Sequence, residues 1–184
     1  EVAHFGHPLV DLCQPVPRAQ ALAELGLPEG HYAALLPGSR TQEIRLLLPV
    51  FLEVARRHPH LVWLLPTANP TIEELVRQAI GQVPTWLKII PGHSRAVMTV
   101  ARAGLLASGS ATLEAALLGL PHLICYRLNP FDYWLGKTLL RLGLIKVGFF
   151  GLPNLIVQRP IVAEFLQDQV QVESLTQAFA PLVL

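Results

Sequence analysis

Charge is scarce in this chain. Asp, Glu, Lys and Arg make up 15% of its 184 residues, against roughly 25% in an average soluble domain. With 13 acids, 14 strong bases and a formal net charge of +1, no field of one sign surrounds it to collect nucleic acid. Aromatic residues reach only 7% and do not interleave with basic ones, which removes the stacking platform of single-strand binders. The two cysteines, Cys13 and Cys125, lie far apart with no CxxC spacing. They read as small buried hydrophobes in a reducing compartment. His4, His7 and His93 form no HxxxH or His/Cys pair at ligand spacing, so no metal is expected. Long clean hydrophobic runs are missing too. Glu114, Lys137 with Arg141, or a proline interrupts each apolar window before the ~20 residues of a membrane span accumulate. The opening EVAHFGHPLVD has no basic-then-apolar order, so it does not read as a signal peptide, and it begins without Met, as an excised piece does.

Apolar residues are abundant, at 52%. The length suits one domain, which buries roughly 70% of its unfolded surface. So apolar a composition implies a large core, or a face covered by a partner or a membrane. Residues 1–17 are proline-rich and read as an inbound segment or hinge, with the lobe proper over 18–184.

From there short apolar runs alternate with helical patterns. HYAALL (31–36), LVWLL (61–65), WLKII (86–90), GLLAS (104–108) and HLICY (122–126) read as strands. Helices are expected from Gln42 to His58, from a Thr71 cap to Ile80, from a Ser94 cap to Ala103, over 111–118 and from Glu173 onward, with GLPNL (151–155) as a loop. Strands nearly without polar residues, alternating with helices, predict an α/β fold: a doubly wound parallel sheet of Rossmann type, in order 3-2-1-4-5. That order makes strands one and four neighbours. PGSR (37–40) and SGSAT (108–112) then open into one crevice.

Those two loops carry the small polar residues. SGSATLE stands where a buried strand gives way to a helix. The first helical turn presents unpaired N–H groups and a partial positive charge, and Gly109 admits a close ligand. Ser108, Ser110 and Thr112 add hydroxyls. The combination suits phosphate, but it has neither the GKS/T ending of a P-loop nor the GxGxxG spacing. Plain capping by Ser110 is the alternative. Glu114 falls outside the capping-box spacing. Its carboxylate suits a vicinal diol such as a ribose, because it accepts hydrogens only. In PGSR, Ser39 precedes Arg40, whose planar fork matches a diphosphate; a local ion pair with Glu43 is the alternative. Arg127 follows the fifth strand at the same sheet edge, or is simply solvated. Asn154 in GLPNL is a turn residue on its own signal. The stretch 131–150, with Lys137, Arg141 and Lys146 among aromatics and leucines, fits either an interfacial helix on acidic lipid or a core-facing helix.

GHPLVD (6–11), LLPGSRTQEI (35–44), LLASGSATLEAAL (105–117), Pro121 with CYR (125–127), LPNLI (152–156) and VAEFLQ (162–167) occur in that order. Together they resemble the carboxyl-terminal half of the lipid-A-disaccharide synthase family. The resemblance implies the nucleotide-sugar-binding lobe of a two-lobed GT-B glycosyltransferase, with the amino-terminal lobe absent. It implies an inverting, UDP-dependent hexosyltransferase that uses no metal or other cofactor. A diacylated glucosamine passes from UDP to a monophosphorylated diacylglucosamine. Ser110, Ala111 and Thr112 are then expected at the diphosphate and Glu114 at the ribose. Tyr126 and Arg127 are expected beside the nucleotide, and Arg40 and Asn154 at the chemistry. The implied location is cytoplasmic, peripheral at the inner membrane. The implied partners are the other lobe, a lipid acceptor, the membrane surface and a second copy that exchanges carboxyl-terminal segments. The isolated chain is expected to be inactive, since the acceptor site and base belong to the other lobe. SGSAT stands where the family often has SGTAT, and Ala163 where proline is common. A UDP-N-acetylglucosamine epimerase lobe and a non-catalytic binding or assembly module remain the competing readings.

Overall fold

The computed structural model describes residues 8–129 and 148–184. Six parallel strands form one sheet: β1 (Tyr32–Leu36), β2 (Val62–Thr67), β3 (Leu87–Pro91), β4 (Ala101–Ala107), β5 (His122–Tyr126) and β6 (Glu164–Leu166), in order β3-β2-β1-β4-β5-β6. The five expected strands and their order hold. The sixth was missed: EFL is three residues long and half-buried throughout, too short for a period to show.

Both faces of the sheet are covered, as the apolar strands require. Successive side chains of a strand point to opposite faces, and the two core clusters divide accordingly. Ala33, Leu35, Trp63, Leu65 and Leu105 pack on one side with α3 (Thr41–Arg56), α4 (Pro70–Ile80) and α8 (Val172–Phe179). Tyr32, Ala34, Leu36, Leu64 and Leu106 pack on the other with α2 (Arg18–Glu24), α5 (Ser94–Val100) and α6 (Ser110–Leu117). Within α3 the buried positions Ile44, Leu47, Leu48, Phe51, Val54 and Ala55 keep helical spacing.

Several helix ends differ from the sequence reading. Asn69, not Thr71, caps α4; its side chain accepts from the Ile72 N–H at 3.0 Å. His93, not Ser94, precedes α5, with φ +52°. That helix stops at Val100 because β4 begins at Ala101; ladder bonding to β1 claims the backbone there. GLPNL is not a loop: α7 (Leu152–Val157) starts inside it, with proline in its first turn, where no N–H is needed. A short turn of helix, α1 (Leu9–Leu12), lies within the stretch read as an inbound segment or hinge. Of the basic and apolar stretch at 131–150, residues 131–147 lie outside the described residues.

Candidate functional site

The geometric expectation was that the turns after β1 and β4 meet. The two strands are neighbours in register, Leu35 opposite Leu105 and Leu36 opposite Leu106. PGSR and SGSAT therefore leave the sheet side by side. Gly38, Ser39 and Arg40 from the first and Ser108, Gly109, Ser110 and Ala111 from the second line one cavity of about 490 Å³. That lies in the range of small-ligand sites, roughly 300–1,000 Å³.

The first loop is held by Glu43. Its carboxylate accepts from the Ser39 N–H at 3.2 Å and the Arg40 N–H at 3.4 Å. Gly38 sits at φ +109°, and a Cβ there would overlap the Glu43 side chain, so the turn requires glycine. The anticipated Arg40–Glu43 pair forms at 3.1 Å, yet the Arg40 side chain is 82% exposed. An exposed pair of this kind contributes under ~1 kcal/mol, so it does not tie the guanidinium down against a stronger anion.

In the second loop Ser110 does not cap the helix. Gly109 is the N-cap and no side chain caps α6. Ser110 is the first helical residue and lines the cavity with Ala111. Gly109 itself is extended, at φ 163°, and a Cβ on it would meet no atom within 4 Å. The fold does not demand glycine here. The other two hydroxyls are engaged internally. Ser108 Oγ donates to the Phe150 carbonyl at 2.7 Å. Thr112, fully buried, donates to the Gly109 carbonyl at 2.7 Å and holds the turn.

The remaining candidates do not line this cavity. Glu114 lines an adjoining depression that shares His93 and Ser94 with the first. It is mostly covered, and one oxygen accepts from Arg95 Nε at 3.0 Å. Asn154 is 1% exposed. Its amide donates to the Val162 carbonyl at 2.7 Å and to Glu164 at 2.6 Å, and its oxygen accepts from the N–H groups of Ile161 and Val162. Glu164 in turn accepts from the N–H groups of Phe150 and Gly151 at the start of α7. Asn154 thus fixes the chain that carries the Phe150 carbonyl back to Ser108. Tyr126 stacks on Phe150 at 5.8 Å. Arg127 donates to the Val170 carbonyl at 3.1 Å and leans toward the Leu46 carbonyl of α3.

The ends of β2 and β3 complete the cavity, and Thr67 and Gly92 escaped the sequence reading. Thr67, at the end of β2, is 2% exposed and its hydroxyl has no partner. Gly92, His93 and Ser94, after β3, complete the wall; His93 Nδ1 lies 2.6 Å from Glu24. The expected strand order already carried the signal, because it brings the ends of β2 and β3 to the same rim as β1. Among the described residues no group of three His, Cys, Asp or Glu side chains is placed to hold a metal, and no helix is long and apolar enough to cross a membrane. Among the described residues the exposed large apolar side chains, Leu184 apart, fall on two stretches, Val10, Leu12 and Val16, and Phe150, Leu155, Ile156, Val157 and Ile161. Helices α1 and α7 within them both pack against α6.

The sequence model of the lipid-A-disaccharide synthetase family matches residues 1–184. A lipid-A-disaccharide synthase of Pseudomonas entomophila is 41% identical over 187 aligned positions, and one of Pseudomonas fluorescens is 37% identical. Each alignment takes in 99% of this chain and 48% of the relative, so the chain spans about half the length of the curated relatives it matches. Among solved structures, WaaG, a glycosyltransferase involved in lipopolysaccharide biosynthesis, superposes with a TM-score of 0.56 at 17% identity, over 96% of this chain and 46% of that one. Anabaena HepE, solved with UDP and glucose, gives 0.54 at 13%, over 94% and 44%. At such identities the likeness shows the fold, that of one lobe of a GT-B glycosyltransferase. With the family's sequence pattern running from end to end over that fold, this chain belongs to the lipid-A-disaccharide synthetase family.

Proposed function

We propose that this chain is the donor-binding half of a lipid A disaccharide synthase. It holds a UDP-2,3-diacylglucosamine-type donor while a second lobe presents the lipid acceptor, a monophosphorylated diacylglucosamine. One observation carries the reading: the PGSR and SGSAT turns converge on a single cavity. The diphosphate is assigned to the uncapped start of α6, at Ser110 and Ala111, with Arg40 across from it. Glu114, one wall further on, is assigned to the ribose. That a fold neighbour was solved with UDP and glucose supports a nucleotide-sugar reading.

As the glycosidic bond to UDP breaks, negative charge grows on the leaving diphosphate. The helix end stabilises it without rearrangement, and the Arg40 guanidinium, exchanging Glu43 for the diphosphate, adds to it. The acceptor hydroxyl attacks from the opposite face, with inversion at the anomeric carbon. Its base is assigned to the other lobe, so this chain alone transfers no sugar. The reading asks for no metal or other cofactor. Asn154 acts through Glu164 and the Phe150 carbonyl, as a positioning residue. The apolar side chains flanking α6 support contact with the other lobe, a second copy or the acyl chains, at the cytoplasmic face of the inner membrane.

Calorimetric titration of the folded chain with UDP tests the proposal. Heat of binding is expected, and Glu114→Ala is expected to abolish it. No heat at millimolar UDP from a sample with a cooperative melt overturns the reading.

A further inference from the structure

Glu114 does not stand alone. Arg95, the second residue of α5, donates from Nε to Glu114 at 3.0 Å and from Nη1 to the carbonyl of Leu12 at 3.0 Å. Cys13, the next residue, is 3% exposed and lies beside both charges. Burial raises its thiol pKa, and the Glu114 carboxylate raises it further. One guanidinium therefore bridges the carboxylate assigned to the ribose and the backbone of the segment over 9–16. Within that segment Val10, Leu12 and Val16 are exposed, Cys13 is buried, and α1 packs against α6. Arginine's rigid fork suits the bridge, since its N–H groups diverge toward two acceptors at once.

We infer that Arg95 is a positioning residue that couples nucleotide binding at Glu114 to the placement of the segment around Leu12 and Cys13. Arg95 engages one carboxylate oxygen through Nε, and the Cys13 thiol lies against the same carboxylate. A diol that fixes the carboxylate also fixes Arg95, and Arg95 fixes Leu12. The coupling is reciprocal: a segment held in place presents Glu114 ready for the ribose. The inference rests on the nucleotide reading above and adds a mechanical consequence to it.

The chain carries its own reporter. Cys13 sits in the coupled segment, while Cys125 is fully buried in β5 and reports global opening. Alkylation of each thiol is followed by mass spectrometry, with and without saturating UDP, in the wild type, Arg95→Gln and Arg95→Lys. In the wild type UDP is expected to slow alkylation of Cys13 by about fivefold or more, beyond any change at Cys125. In both variants the UDP effect on Cys13 is expected to vanish while calorimetry still detects binding. Lysine keeps the charge but cannot span both acceptors, so loss in Arg95→Lys marks the fork and not the charge. The same UDP protection in the variants overturns the inference. So does measurable UDP binding to the wild type with no effect on Cys13. Loss of all binding in both variants overturns the positioning role. No heat with the wild type overturns the nucleotide reading and this inference together.

Discussion

Replacing Thr67 by valine removes one hydroxyl and puts a methyl in its place. The hydroxyl is buried, lacks a partner and lies on the cavity wall. A buried polar group without a hydrogen bond costs roughly 1–3 kcal/mol. The ligand-free variant is therefore expected to gain about 1 kcal/mol, a rise of roughly 2–4 °C in Tm for a chain of this size. If that hydroxyl is kept for the ligand, UDP loses one hydrogen bond of net worth about 0.5–1.5 kcal/mol. Affinity then falls roughly two- to twelvefold. The signature is a pair of opposite signs, firmer folding with weaker binding. Differential scanning calorimetry reads the first and titration calorimetry the second. A lower Tm with unchanged affinity would refute the reasoning, because the hydroxyl would then be serving the fold.

The same logic makes Gly109→Ala a clean probe: its Cβ meets nothing within 4 Å, so stability is expected within about 0.5 kcal/mol of wild type, while UDP affinity drops if a phosphate approaches that backbone; equal affinity in a titration counts against the site. Asn154→Ala leaves two N–H groups, a carbonyl and a carboxylate short of partners. A loss of about 2–4 kcal/mol in urea unfolding follows, whereas a residue serving only the donor leaves the urea midpoint unmoved. Acid should weaken the fold. His58 and His122 are each 5% exposed, and burial lowers both imidazoles, His60 adding to the effect at His58 while the Leu120 carbonyl opposes it at His122. The unfolded chain then binds more protons near and below its ordinary histidine pKa of about 6.5. This stability is complete above that pH and is lost as the pH falls through it toward the lower folded values. Urea midpoints at successive pH values check the slope, which His58→Phe, packed against Trp63 and Phe179, is expected to flatten.

Strand segments were legible because burial on both faces leaves no choice of residue: Ala33 to Leu36 and Leu105 to Ala107 are apolar at every position. Alternation with helices then fixed a parallel sheet and its order, and that order brought the PGSR and SGSAT turns together. Caps were less legible. Asn69 and Thr71 are both good caps in the string, Ser94 is a better one than His93, and the path of the chain selects Asn69 and His93. The length of α7 was hidden for the same reason: proline in LPN reads as a turn until Glu164 is seen collecting the N–H groups before it.

The string of residues by itself determined the fold class and the place of the crevice, since these follow from local hydrophobic pattern and from which turns carry small polar residues, while the order of its motifs carried the family resemblance. Only the tertiary structure decided what each polar group is doing. Ser108 and Thr112 spend their hydroxyl hydrogens inside the lobe, Asn154 is wholly occupied, Thr67 is left without a partner, and Arg95 joins Leu12 to Glu114 across 83 and 19 positions of sequence. Hydrogen bonds are short and directional, so their partners are set by neighbours in space that no local spacing records.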